Sequence, residues 1–173
     1  MRVVKALGFL FCISMGVGQA QEVLTPLRKN AAQRQYPQYR VQNTLDTIAL
    51  PFIDDFSNSQ VVPAPRRWTD RFVFVNTDMA DGPPTLGVAT FDGLNAQGDA
   101  YDPFAVNSNG LADRLTSQAI NLGLETPADS VYLSFFFQPG GWCDPPESND
   151  SLSLEWLDKN GSWRWIWSRR GSA

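Results

Sequence analysis

Between Ser151 and Trp167 the chain carries two alternating runs separated by a turn signal. Leu152, Leu154 and Trp156 alternate with Ser151, Ser153 and Glu155. Beyond Asp158-Lys159-Asn160-Gly161, Trp163, Trp165 and Trp167 alternate with Arg164 and Ile166. A period of two is the repeat of a half-buried strand and is incompatible with a helical face. Two such runs joined by an Asx/Gly turn predict a β-hairpin. An unbroken period places all three tryptophans on one face, where they serve either as sandwich core or as a row for stacking sugar rings.

The rest of the chain reads the same way. Phe72-Val73-Phe74-Val75 predicts a buried strand, and Val88-Ala89-Thr90-Phe91 one that stops at the turn signal Asp92-Gly93. Another strand is expected around Ile120 and Leu122. In Val131–Gln138, Val131, Leu133, Phe135 and Phe137 share one face, with Tyr132, Ser134 and Phe136 on the other. No helix of useful length is predicted after residue 20. Many short strands and frequent turns predict an all-β fold, a jelly-roll β-sandwich. The chain runs to Ala173 just past the hairpin, so a Trp-rich strand would sit at an open edge. The expectation is a jelly roll incomplete at its C-terminal strands, in a natural product that continues further.

Arg2 and Lys5 precede an apolar run from Ala6 to Val17, and Gly18 and Ala20 supply small residues for cleavage after Ala20. This is the layout of a secretory signal peptide over residues 1–20, too short to span a bilayer, although a buried N-terminal helix is the alternative. Cys12 inside the apolar run, preceded by Phe11, does not fit a lipoprotein signal. Residues 21–45 are poor in large apolar side chains and read as a flexible leader. Residues 46–173 suit one domain. Loss of Arg2 and Lys5 takes the net charge from −4 to −6, which argues against nucleic acid and anionic membranes as partners. Only Cys143 remains after cleavage, so no internal disulfide can form, and a partly buried free thiol is expected. The product is expected outside the cytoplasm: extracellular, or at the cell surface or outer membrane.

The chain has no histidine, which removes Ser-His-Asp and Cys-His catalysis and the usual zinc sites. A glycosidase needs only two carboxylates, but Asp54 and Asp55 are neighbours and point to opposite faces of an extended strand. No catalytic residue is assigned, and a non-catalytic module is expected. The one cofactor the sequence points to is a structural calcium ion. Jelly rolls often hold a structural ion where the first strand meets a late loop. Asp55, Asp92, Asn149 and Asp150 occupy suitable places for an oxygen-donor site. The same residues could instead cap turns through their own backbone amides. A standard calcium loop is absent: with Gly82 at its sixth position, Met79 falls where a carboxylate belongs. Trp142 lies in a Gly/Pro/Asp-rich loop, Gln138–Asp150, and Tyr101 and Phe104 lie in another long loop, Asp92–Gly110. These three form a candidate ligand-binding patch if the loops share one end of the sandwich, or else tuck onto the core. Arg66-Arg67 and Arg169-Arg170 read as short solvated pairs.

The order of motifs carries a resemblance. Leu50-Pro51-Phe52-Ile53-Asp54-Asp55-Phe56-Ser57 opens the domain and Trp68 follows. Gly87–Ala96, Asp113–Gln118, Pro127–Gln138, Asn149–Glu155 and the Trp163–Trp167 run come after it in sequence. The series resembles the MAM-like, concanavalin-like jelly-roll domain of exported Bacteroidota surface proteins. There it often precedes other modules and a type IX secretion sorting domain. No such sorting domain occurs in these residues, the later strands of the jelly roll are missing, and Gly140-Gly141-Trp142-Cys143 places a cysteine outside the pattern. The resemblance implies an exported adhesion or ligand-binding module of a larger surface or secreted protein, with a glycan or surface protein as partner and the export machinery as an earlier one. An accessory domain of a secreted hydrolase, with catalysis beyond residue 173, is the alternative, and a structural spacer is the third.

Overall fold

A computed structural model describes residues 27–36, 47–102 and 110–172. These form a β-rich fold with little helix and two separate antiparallel sheets. β1 (Phe74–Asn76) pairs with β2 (Val88–Thr90), with Val75 opposite Ala89. β3 (Ser151–Leu157) pairs with β4 (Trp163–Arg170). The helical content is one short helix, α1 (Ala31–Gln35), and a 3-10 turn at Pro127–Asp129. No described helix is long and apolar enough to cross a membrane.

The core lies around β1. Val62, Val73, Val75 and Leu94 are buried. Isolated bridges join distant segments across it: Ile48 to Ile120 in parallel, and Trp68 to Ser117 in antiparallel. The Trp68 indole packs edge-on to Phe52 at 5.4 Å and stacks on Phe56 at 5.8 Å. Its Nε1–H donates to Asp54 Oδ2 at 2.6 Å, and Arg67 donates to Asp54 Oδ1 at 2.8 Å. The Asp54 side chain is 3 % exposed, so this carboxylate is held inside by three donors, the third being the Phe56 amide at 3.0 Å. A buried carboxylate is tolerated when it is paired and bonded in this way.

Residues 27–36, within the stretch read as leader, are docked on the domain. Asn30 caps α1 by accepting from the amides of Ala32 and Gln33. The Asn30 amide donates to the Gly98 carbonyl at 2.8 Å, and Lys29 and Arg34 both pair with Asp99. Gly98 has φ +72°, and a Cβ there would strike the Asn30 carbonyl, so this close approach needs glycine.

The Val131–Gln138 run is not a strand. Its backbone joins no ladder among the described residues, although its expected alternation survives. Phe135 and Phe137 lay their rings against Trp167 at 5.7 and 5.2 Å, while Tyr132 and Phe136 on the other face are 87 % and 82 % exposed. Alternation reports which face is covered; a strand also needs a neighbour to take its hydrogen bonds.

Candidate ligand-binding surface

The β3–β4 hairpin closes as its turn residues require. Asp158 Oδ1 accepts from the amides of Asn160 and Ser162, and its Oδ2 accepts from Arg164 Nε at 2.8 Å. These donors hold the Asp158 carboxyl below its ordinary range. The register then breaks. Leu154 pairs with Trp167, but the next residue, Glu155, pairs with Trp165. Ile166 is therefore the extra residue of a β-bulge.

This corrects the expectation of a single tryptophan row. Cross-strand partners share a face, and one inserted residue shifts everything beyond it to the opposite side. Trp167 lies with Leu154 and Leu152 on the face that meets Phe135 and Phe137. Trp165 and Trp163 lie with Glu155 and Leu157 on the other face. Trp163 is 53 % exposed and Trp165 is 65 % exposed, whereas Trp167 is half-buried. Glu155, directly across from Trp165, is exposed beside it.

Trp142 stands out from its loop, 73 % exposed. Its amide donates to the Met79 carbonyl at 2.9 Å, and Gln138 brackets Asp81 with two hydrogen bonds, so the loop is anchored while the ring stays free. Gly141, at φ +81°, presses against Met79 and leaves no room for a side chain. Cys143 is free and exposed, not partly buried as expected, because it lies in the turn that projects Trp142 outward. Phe104 lies outside the described residues.

Tyr101 serves a different purpose from Trp142. Its hydroxyl donates to Asp113 Oδ1 at 2.9 Å, and no hydrogen bond or ring contact links it to Trp142 among the described residues. Asp113 Oδ2 accepts from the Gly93 amide at 2.8 Å. Burial pushes the Asp113 carboxyl up to about 6; the two donors oppose the shift and the nearby Asp92 charge adds to it. Burial also raises Asp92, and it raises the Tyr101 phenol, which faces the Asp113 charge. No local signal marks Asp113, since only the fold brings it under the Asp92-Gly93 turn.

Three of the four expected calcium ligands are engaged locally in their own turns. Asp55 Oδ1 accepts from the Ser57 amide and hydroxyl, which lowers its pKa. Asp92 Oδ1 accepts from the Leu94 amide, and Asp150 Oδ2 accepts from the Glu147 amide. Asn149 is exposed. Among the described residues no three acidic or thiol side chains form a group that could hold a metal ion. The carboxylates of Asp55, Asp92 and Asp150 are turned onto nearby backbone amides, the geometry of turn capping.

Neither a family model, nor a curated protein, nor a solved structure matches this chain.

Proposed function

We propose that this chain is an exported, non-catalytic adhesion module of the jelly-roll type that binds a glycan on the exposed indoles of its β3–β4 hairpin. The observation that carries the reading is the bulge at Ile166, which turns Trp163 and Trp165 away from the covered face. Two residues apart on one face, their rings are roughly 7 Å apart along the strand, able to meet neighbouring units of an oligosaccharide. An indole offers a flat apolar face to the C–H face of a sugar, and desolvating that face favours stacking. Glu155, across from Trp165, supplies acceptors for sugar hydroxyls. Trp142 adds a third displayed ring, on an anchored loop. The signal-like N-terminus and the resemblance to MAM-like jelly rolls support an address outside the cytoplasm.

The test is a screen of the purified chain against an array of neutral and acidic oligosaccharides, followed by titration of the best hit. Trp165→Ala is expected to weaken that hit at least tenfold with little change in thermal midpoint. Absence of any saturable hit, or a Trp165→Ala/Trp163→Ala pair that binds like the parent, would refute the reading.

A further inference from the structure

The run from Val131 to Phe137 has the side-chain pattern of a strand and none of its pairing. Phe135 and Phe137 set their ring centres 6.3 Å apart, the i, i+2 spacing of an extended backbone, and both rings meet Trp167. Tyr132 and Phe136, on the other face, are the most exposed side chains of the run. Among the described residues no hydrogen bond reaches a backbone amide or carbonyl of these seven residues. An extended, exposed segment with free backbone groups is a template for one more strand. We propose that a second copy of this chain supplies that strand, the two Val131–Phe137 segments pairing antiparallel about a two-fold axis at Ser134.

Three observations favour a like partner. The first is charge. Val-Tyr-Leu-Ser-Phe-Phe-Phe carries none, and it contains no proline or glycine, so two copies meet without repulsion and without a break in the ladder. The second is symmetry. With Ser134 opposite its own copy, Tyr132 falls opposite Phe136, Leu133 opposite Phe135, and Val131 opposite Phe137. Every pair stays on one face, and all but the two serines at the axis join apolar side chains, the stabilising cross-strand contact. A slip of one residue would instead set the Trp167 side of one copy level with the opposite side of the other. A patch that matches itself in this way closes as a two-fold dimer. The third is how the segment is held. Before it, Ser130 turns at φ 53° out of a 3-10 turn that Asp129 closes by accepting from the Thr126 amide and hydroxyl. After it, Gln138 brackets Asp81 with two hydrogen bonds. In the Ser134 register Ser130 of each copy faces Gln138 of the other, so bend and anchor end the ladder together. A segment fixed at both ends loses little freedom on pairing. The exposed parts of its four aromatic rings amount to roughly 500 Å² in each copy. Covering them in both copies reaches the roughly 1,000 Å² at which a specific interface begins.

Neither Trp163 nor Trp165 takes part in this pairing, so the dimer and the glycan surface can fail separately. The test is sedimentation equilibrium of the full chain over a wide concentration range, where a monomer–dimer equilibrium is expected. Ser134→Lys, at an exposed position, sets two like charges opposite each other at the axis and should weaken the dimer at least tenfold. A second readout fixes the register. In a Cys12→Ser/Cys143→Ser background, Ser134→Cys should form a disulfide-linked dimer on mild oxidation, because directly opposite residues hold their Cα atoms within disulfide reach. Tyr132→Cys in the same background should not link to its own copy, since Phe136 stands opposite it. A parent that stays monomeric, a dimer that Ser134→Lys leaves intact, or Tyr132→Cys linking as readily as Ser134→Cys would overturn the proposal.

Discussion

Replacing Asp113 with asparagine should remove most of the pH dependence of stability between about pH 5 and 7.5. The chain contains no histidine, so nothing else with an ordinary side-chain pKa in that interval competes. Burial lifts the Asp113 carboxyl from 3.8 to about 6 in the folded protein. A raised folded pKa means that folding favours the protonated acid. The stabilisation is complete below the unfolded value near 3.8 and is lost as pH rises through about 6. Two pH units correspond to at most about 3 kcal/mol. Asp113 is only partly buried, and solvent screening reduces this to about 1–2 kcal/mol. The carboxyls held low by their donors, Asp55, Asp99, Asp129 and Asp158, titrate below this interval, while Asp70 and Asp92, also raised by burial, contribute in the same direction as Asp113. Asparagine can still accept from the Gly93 amide, and its own amide can donate to the Tyr101 oxygen. Urea unfolding at about pH 5, 6 and 7.5 should show the parent weakening across the series and Asp113→Asn nearly level. The variant should be the more stable of the two at pH 7.5 by about 1 kcal/mol. A parent that is level or strengthens over this interval, or a variant that keeps the parent's slope, would show that burial does not dominate at Asp113.

Two further outcomes follow from the packing. Asp54→Ala strands the Arg67 charge and the Trp68 indole N–H, and should cost about 2–4 kcal/mol by urea unfolding; a loss under about 1 kcal/mol would contradict the buried triad. Trp167→Ala should destabilise by about 2–4 kcal/mol because it meets Phe135 and Phe137, whereas Trp165→Ala should stay within about 1 kcal/mol of the parent; equal losses would place the two rings on the same face.

What was legible in the sequence was what depends on near neighbours. The Asp158–Gly161 turn and the two runs it joins are local, and the hairpin forms as they require. Turn capping by Asp55, Asp92 and Asp150 is likewise a matter of two or three residues and is legible in the Asx-rich turns themselves. The bulge was hidden because Trp163–Trp167 has a perfect period of two; only pairing with β3 shows that Ile166 has no partner. Val131–Gln138 has strand composition, but its ladder would have to come from elsewhere in the chain. Asp113 acquires its character from Gly93 and Tyr101, 20 and 12 residues away, and no spacing rule points to it. The Arg66-Arg67 pair read as two solvated charges, yet one partner turns inward to Asp54 and the other borders a cavity.

The unpaired Ile166 makes the character of this hairpin depend on chain length by a single residue. In-frame insertion of one codon between Leu154 and Glu155 would give Ile166 a partner, restore a continuous ladder and swing Trp163 and Trp165 to the same side as Trp167. No side chain would need to change in chemistry for a displayed surface to become a packed one. Within a lineage, insertion or deletion at this point could therefore convert a sticky face into an inert one, or the reverse, in one step. Point substitutions would need several.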